Sequence, residues 1–174
     1  MTIEKTDLNN WDMDEPNFIP DVNKINSSIT FIQNELKVII PNEMQELMFL
    51  KNDKPIGPTE GIDSVLVKYN DKTIIINIEI TYSSNYIVEY TKLSQESIYE
   101  KRFLLPNGLI VIGSSYDDAG YACLIYDVRP DSVTYKHVFH WRHYVDNLIM
   151  GEGLGLIAHS LKEFLSMPTS EDAL

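Results

Sequence analysis

The chain carries a single cysteine, Cys123. That excludes a disulfide framework within it and favours a reducing compartment. The thiol lies in the apolar run 122–125, where a small buried side chain is the expected role, because a nucleophilic thiol needs an activating basic neighbour. Basic residues are also scarce: 14 Lys and Arg stand against 26 Asp and Glu, a formal net charge of -12. A surface this acidic repels phosphate backbones, so direct nucleic-acid binding is not expected. It speeds encounter with a basic protein instead, an effect that salt weakens. Long apolar runs are missing, so no membrane span is expected. The opening MTIEKTDLNNWDMDEP has no apolar stretch of the signal-peptide kind, and a cytoplasmic protein is predicted. Two catalytic signatures are absent as well. Ser114-Ser115 lacks the Gly-x-Ser-x-Gly frame of a nucleophile elbow. GEGLG at 151–155 has neither a preceding strand nor a GK[ST] ending, so it reads as a turn or lid rather than a phosphate loop, and no cofactor is implied.

What the chain does contain is an ordinary globular mixture, 44% hydrophobic and 23% charged over 174 residues, which suits one domain with a real core. Residues 1–20 are polar and acidic and read as an arm, with Trp11 and Phe18 able to pin it to the body. The domain proper is expected over 21–168, followed by an acidic tail at 169–174. Asp21 suits a helix N-cap, and Val22, Ile25, Ile29, Ile32 and Leu36 then recur at helical spacing up to the break before Pro41. A second helix is predicted from Pro41, with Glu43 and Glu46 at its positive end, Met44, Leu47 and Met48 as its apolar stripe, and Lys51 near its C-terminal end. NDKPIGPTEG is a loop by composition. DSVLVKY and TIIINIEITY read as strands around an Asn70-Asp71-Lys72 turn. In the second of them Ile74, Ile76, Ile78 and Ile80 share one face, and Thr73, Ile75, Asn77, Glu79 and Thr81 share the other. SSNYIVEY is expected to add a strand, and TKLSQESIYEKRF a short helix patterned on Leu93, Ser97 and Tyr99. Further strands are predicted in LIVIG, YACLIYDV and VTYKHVFHW, with a loop over 114–120. LIAHSLKEFLSM reads as a closing helix that turns Leu156, Ile157, Leu161, Phe164 and Leu165 inward. The order of helices, then strands, then a helix predicts an α+β fold: an antiparallel sheet of about five to six strands with N-terminal helices and a C-terminal helix packed on it.

Several constellations carry possible chemistry. His137, His140 and His143 form H-x-x-H-x-x-H, the residue type of a zinc site. On a strand, a step of three sends neighbours to opposite faces, so no metal site is predicted. Asp117 and Asp118 are adjacent carboxylates in a turn, suited to solvation, to a protein contact, or to acid–base work. Glu79 is a charge on the wetter face of its strand. Tyr82, Tyr86, Tyr90 and Tyr99 cluster in sequence, and tyrosine suits interfaces because it buries area while keeping a polar tip.

LKVIIPNEMQELMFL, then IVIGSSYDDAGYACLIYDV, then VTYKHVFHW and HSLKEFL, run in an order that resembles the SUKH superfamily (SMI1/KNR4-like proteins) over residues 22–167. That resemblance implies the SMI1/KNR4-like α+β fold and a non-catalytic protein-binding module. It implies most of all an immunity protein that neutralises a bacterial toxin domain, with a basic nuclease the best match to the acidic charge. The residues then expected to meet the partner are Glu79, Tyr82, Tyr86, Asp117, Asp118, Tyr121, Trp141, Tyr144 and Asp146. The alternatives are a regulatory scaffold of the same family with no toxin, and a small metal-dependent hydrolase using Asp117, Asp118 or the histidines.

Overall fold

Asp21 accepts a hydrogen bond from the Lys24 N–H at 3.1 Å and so fixes the start of α1 (Val22–Leu36). In the computed structural model, which describes residues 2–96, 102–143 and 145–174, Ile25, Ile29, Ile32 and Leu36 are buried along this helix, while Val22 in the first turn is exposed. The helix stops at Leu36, short of Pro41, because Lys37 takes a left-handed conformation at φ 53°. Pro41 then opens α2 (Asn42–Leu50), which buries Met44, Leu47 and Met48 as its spacing predicts. It also buries Glu43, the acid expected at its positive end. Ahead of α1, β1 (Trp11–Asp12) pairs antiparallel with β2 (Gly57–Pro58), inside the segment expected to be loop. Trp11 is buried, donates its indole N–H to the Leu165 carbonyl at 2.8 Å, and meets the Phe164 ring edge-on at 5.6 Å. Ile3 and Leu8 are buried beside it, so residues 2–12 lie firmly on the body.

The main sheet is built from β3 (Ser64–Lys68), β4 (Thr73–Thr81), β5 (Leu109–Asp117), β6 (Gly120–Asp127), β7 (Val138–Trp141) and β8 (Gly155–Ala158). These strands are antiparallel neighbours in that order, and the sheet curls until β8 meets β3 at one pairing, Lys68 with Leu156. One face packs on the helices through Val65, Val67, Ile76, Ile78, Ile110, Ile112, Leu124 and Tyr126. The other holds a smaller core of Leu105, Leu109, Val111, Ile125, Phe139, Trp141 and Leu154. The chain is thus the α+β arrangement that the sequence order predicts.

Five local expectations are corrected. SSNYIVEY is not a strand but the start of α3 (Ser84–Gln95), which buries Ile87, Val88, Thr91 and Ser94 at helical spacing. Its first turn is held by a distant residue, Asp53, whose carboxylate accepts the Ser84 N–H at 2.9 Å and also the Ser84 hydroxyl. The helix expected in TKLSQESIYEKRF is the end of α3, and Ser97 and Tyr99 lie outside the described residues. The loop expected over 114–120 is mostly strand, because β5 runs on to Asp117 and turns tightly into β6, with the Ala119 N–H on the Asp117 carboxylate at 2.7 Å. The closing helix is split. Leu156 and Ile157 belong to β8, and α4 (Leu161–Ser166) begins only after Ser160, whose hydroxyl accepts the Glu163 N–H. In β4 the alternation holds until a bulge between Ile78 and Ile80 reverses it, so Thr81 is buried instead of wet.

Buried polar groups fasten these parts together. A Glu43 oxygen accepts the Tyr126 hydroxyl at 2.7 Å and the Leu161 N–H at 2.9 Å, joining α2, β6 and α4. Lys51, the cation expected near the C-terminal end of α2, is buried there, and its ammonium donates to the Tyr82 carbonyl at 2.7 Å and the Thr81 hydroxyl at 3.3 Å. Burial pushes its pKa down to about 8. At the end of β6, the fully buried Asp127 carboxylate accepts from Arg129 twice at 2.9 Å, from the Ser132 hydroxyl at 2.8 Å and from the Thr134 hydroxyl at 2.6 Å. These bonds fold 129–137 into a turn, so only 138–141 of VTYKHVFHW remain strand. Burial works to raise the Asp127 pKa, but the bonds from Arg129, Thr134 and Ser132 outweigh it and hold it at about 2.

Asp127→Ala strands those donors and is expected to lower stability by about 3 kcal/mol in urea unfolding at neutral pH. The carboxyl is depressed in the fold, so its contribution of about 2 kcal/mol is whole above pH 4 and is lost as pH falls toward 2. The variant should therefore show a shallower acid limb than the parent, and parallel limbs would contradict this account.

Candidate functional site

The outer face of β4, β5 and β6 carries an exposed aromatic depression. The β4 bulge sets Glu79 outward, where the Ser114 hydroxyl of the adjacent strand donates to its carboxylate at 2.7 Å. Tyr82 follows at the strand end. Its N–H is held by the Ile112 carbonyl at 2.8 Å, and its carbonyl is held from below by Lys51. From there α3 rises, and its turn places Tyr86 and Tyr90 one above the other. The rings of Tyr82 and Tyr90 stack at 5.0 Å and those of Tyr86 and Tyr90 at 6.0 Å. Opposite this wall, β6 presents Tyr121, 77% exposed, and the thiol of Cys123 two residues on, on the same face. The cavity so enclosed measures about 420 Å³, with His143 at its rim. Burial pushes the Cys123 thiol up to about 12, so it stays protonated and unreactive. Burial also raises the Tyr82 hydroxyl, and the Glu79 charge adds to that push.

Four of the residues singled out in the sequence, Glu79, Tyr82, Tyr86 and Tyr121, meet here. Asp117 and Asp118 lie at the β5–β6 turn and line a separate depression of about 220 Å³ with Tyr69, Ile75 and Arg142. Asp118 is exposed there, whereas Asp117 turns inward. Asp146 is half-buried and paired with Arg142 at 2.9 Å. Trp141 is corrected to a core residue: it is fully buried and its indole N–H binds the Asp146 carbonyl at 2.8 Å, so it offers a partner no atom. Tyr144 lies outside the described residues. Ser114, Cys123 and His143 join the Glu79 depression without having been picked as contact residues. The alternation that aligns Tyr121 with Cys123 would have found one of them.

The three histidines part company. His137 packs on Phe139 and His159, and His143 meets the Trp141 ring edge-on at 5.4 Å. His140 is fully buried, with Nδ1 at 2.9 Å from the Ser115 hydroxyl and Nε2 at 3.1 Å from Asp117. A carboxylate can only accept, so Nε2 carries the proton and Nδ1 accepts from Ser115. This is a Ser–His–Asp chain with the polarity of a hydrolase triad. Ser115, however, has no exposed surface, and no substrate carbon can reach its oxygen without the sheet opening. Burial lowers the His140 pKa, and Asp117 offsets only part of that drop. Burial in turn works to raise Asp117, but its bonds to His140 and the Ala119 N–H leave it lowered. Among the described residues no three metal-ligating side chains converge, and no helix is long and apolar enough to cross a membrane.

Comparison with known families matches residues 26–167 to the SMI1 / KNR4 family (SUKH-1). No curated protein and no solved structure matches the chain.

Because protonation of His140 is disfavoured in the fold, stability is full above about pH 6.5 and falls as pH drops below it, with Asp117 adding its loss at lower pH. Urea midpoints from pH 8 to 4 should show this descent. His140→Gln, which can still accept from Ser115 and donate to Asp117, should remove the part near pH 6 and leave the carboxylate part. An unchanged profile would mean that His140 is not the titrating group.

Proposed function

The chain belongs to the SMI1 / KNR4 family (SUKH-1), and from that premise we propose that it is a stoichiometric binding protein that occupies and neutralises a bacterial toxin domain. The observation that carries this reading is the wall of half-buried Tyr82 and exposed Tyr86 and Tyr90, faced by exposed Tyr121, around Glu79. Exposed, preorganised aromatics with polar tips are the anchors from which protein interfaces are built. The net charge of -12 adds the second element. A nuclease is basic where it holds nucleic acid, and an acidic aromatic face can cover that groove in place of the substrate phosphates. The reactive groups that would favour an enzyme are spent inside the fold: Ser115 is buried, His140 is bonded on both nitrogens, and the Cys123 thiol stays protonated. Asp118, in the separate depression at the β5–β6 turn, and the half-buried Asp146 would add acidic contacts, and Tyr144 stands two positions before Asp146 in sequence.

Co-expression with the protein encoded beside its gene tests this directly. Co-purification at one-to-one stoichiometry and rescue of growth are expected. Tyr121→Ala should weaken binding by about ten- to a hundredfold, chiefly through faster dissociation. Asp118→Lys should slow association at low salt and flatten its salt dependence, with little change in melting temperature, because it faces solvent. Capture of a neighbour with no toxic activity would favour a regulatory scaffold of the same family. Turnover of a substrate by the isolated chain would end the reading.

A further inference from the structure

The depression around Glu79 has one carboxylate among its described lining residues. Among the described residues that line it, Tyr82, Tyr90, Tyr121 and Ser114 bring hydroxyls, and Cys123 brings a thiol that burial keeps protonated. His143 is kept neutral as burial lowers its pKa. Glu79 alone carries a formal charge. One of its oxygens is held by Ser114, which fixes the carboxylate in place while lone pairs remain for an incoming donor. The walls are aromatic rings, whose faces attract cations. At about 420 Å³ the space admits a side chain and not merely an ion. Anionic ligands are excluded by Glu79 and by the surrounding net charge.

Resting on the binding role proposed above, we infer that this depression is a socket for an arginine side chain of the partner. Arginine fits better than lysine on three counts. Its guanidinium is flat and slides against tyrosine rings. It is weakly hydrated, so entering a half-buried aromatic site sacrifices less solvation. Its fork of N–H donors can engage Glu79 while also reaching the tyrosine hydroxyls. The pinned elements around the socket keep it open in advance: the β4 bulge aims Glu79, Lys51 anchors the Tyr82 backbone, and α3 fixes Tyr90. Little reorganisation is then needed when the arginine arrives.

The probe is N-acetyl-arginine amide, titrated into the full chain while ring resonances of Tyr82, Tyr90 and Tyr121 are followed by NMR. Saturable shifts at these tyrosines are expected. They should be weaker with the lysine analogue and absent with the neutral citrulline analogue. Glu79→Gln, a surface change that leaves the fold intact, should reduce affinity by at least about fivefold. Equal shifts from citrulline, shifts confined to other surfaces, no shifts at all, or indifference to Glu79→Gln would each overturn the socket. The probe needs no partner, so the two ideas separate. A captured toxin whose affinity survives Glu79→Gln would overturn the socket while leaving the binding role standing.

Discussion

Glu43 holds the architecture together. It sits in the first turn of α2, only 6% exposed, and its carboxyl group satisfies a hydroxyl from β6 and a backbone amide at the start of α4. Both donors are buried, and losing their acceptor would leave each unsatisfied at about 1–3 kcal/mol. Burial pushes the Tyr126 hydroxyl up, and Glu43 adds to that, so the phenol remains a donor. The consequence reaches the far side of the sheet. Residues of β6 alternate, so the grip on Tyr126 from within leaves Tyr121 and Cys123 facing outward at a fixed height. The Tyr121–Cys123 side of the depression is preset because its strand is anchored from behind.

The same division runs through the molecule. Three groups capable of chemistry are held in the interior, each with partners: His140 between Ser115 and Asp117, Asp127 among Arg129, Ser132 and Thr134, Lys51 on the Tyr82 carbonyl. What remains on the outer face of β4 to β6 is shape, aromatic surface and one oriented carboxylate. That inventory suits the binding role proposed above, and the aligned serine, histidine and aspartate lie within the fold, with Ser115 and His140 fully buried.

Features governed by local periodicity were legible in the sequence: α1, the stripe of α2, most of β4, and the order of strands that yields the fold class. The failures have physical causes. SSNYIVEY is apolar and β-branched enough to resemble a strand, and the group that caps it as a helix, Asp53, is 31 positions away. LIAHSLKEFLSM shows one continuous apolar pattern, but Ser160 breaks it by capping α4 and releasing the preceding residues to β8. Thr81 turns inward because a bulge, which leaves no compositional trace, resets the parity of β4. Glu43 reads as a helix-start acid because its partners lie 83 and 118 positions away. In the candidate face, Glu79 was visible as a charge on the wetter face of its strand, and the tyrosines as a cluster in sequence. Trp141 looked equally suitable, and only the sheet's curvature reveals that it points into the smaller core.

The barrel is joined where β8 touches β3 by a single rung, so most of that seam lacks a ladder. Loose backbone groups on a strand border invite a second molecule to add its own strand. Here the molecule supplies substitutes from its own ends and loops. Thr169 exchanges both main-chain bonds with Ser64 at 3.0 Å, and the Gly151 carbonyl takes the Asn70 N–H at 2.9 Å. The residues after α4 thus act as a selvedge that keeps the weave from unravelling into its neighbours. Trimming the chain at that point would strip the Ser64 N–H and carbonyl of their main-chain partners and bare that border of the sheet.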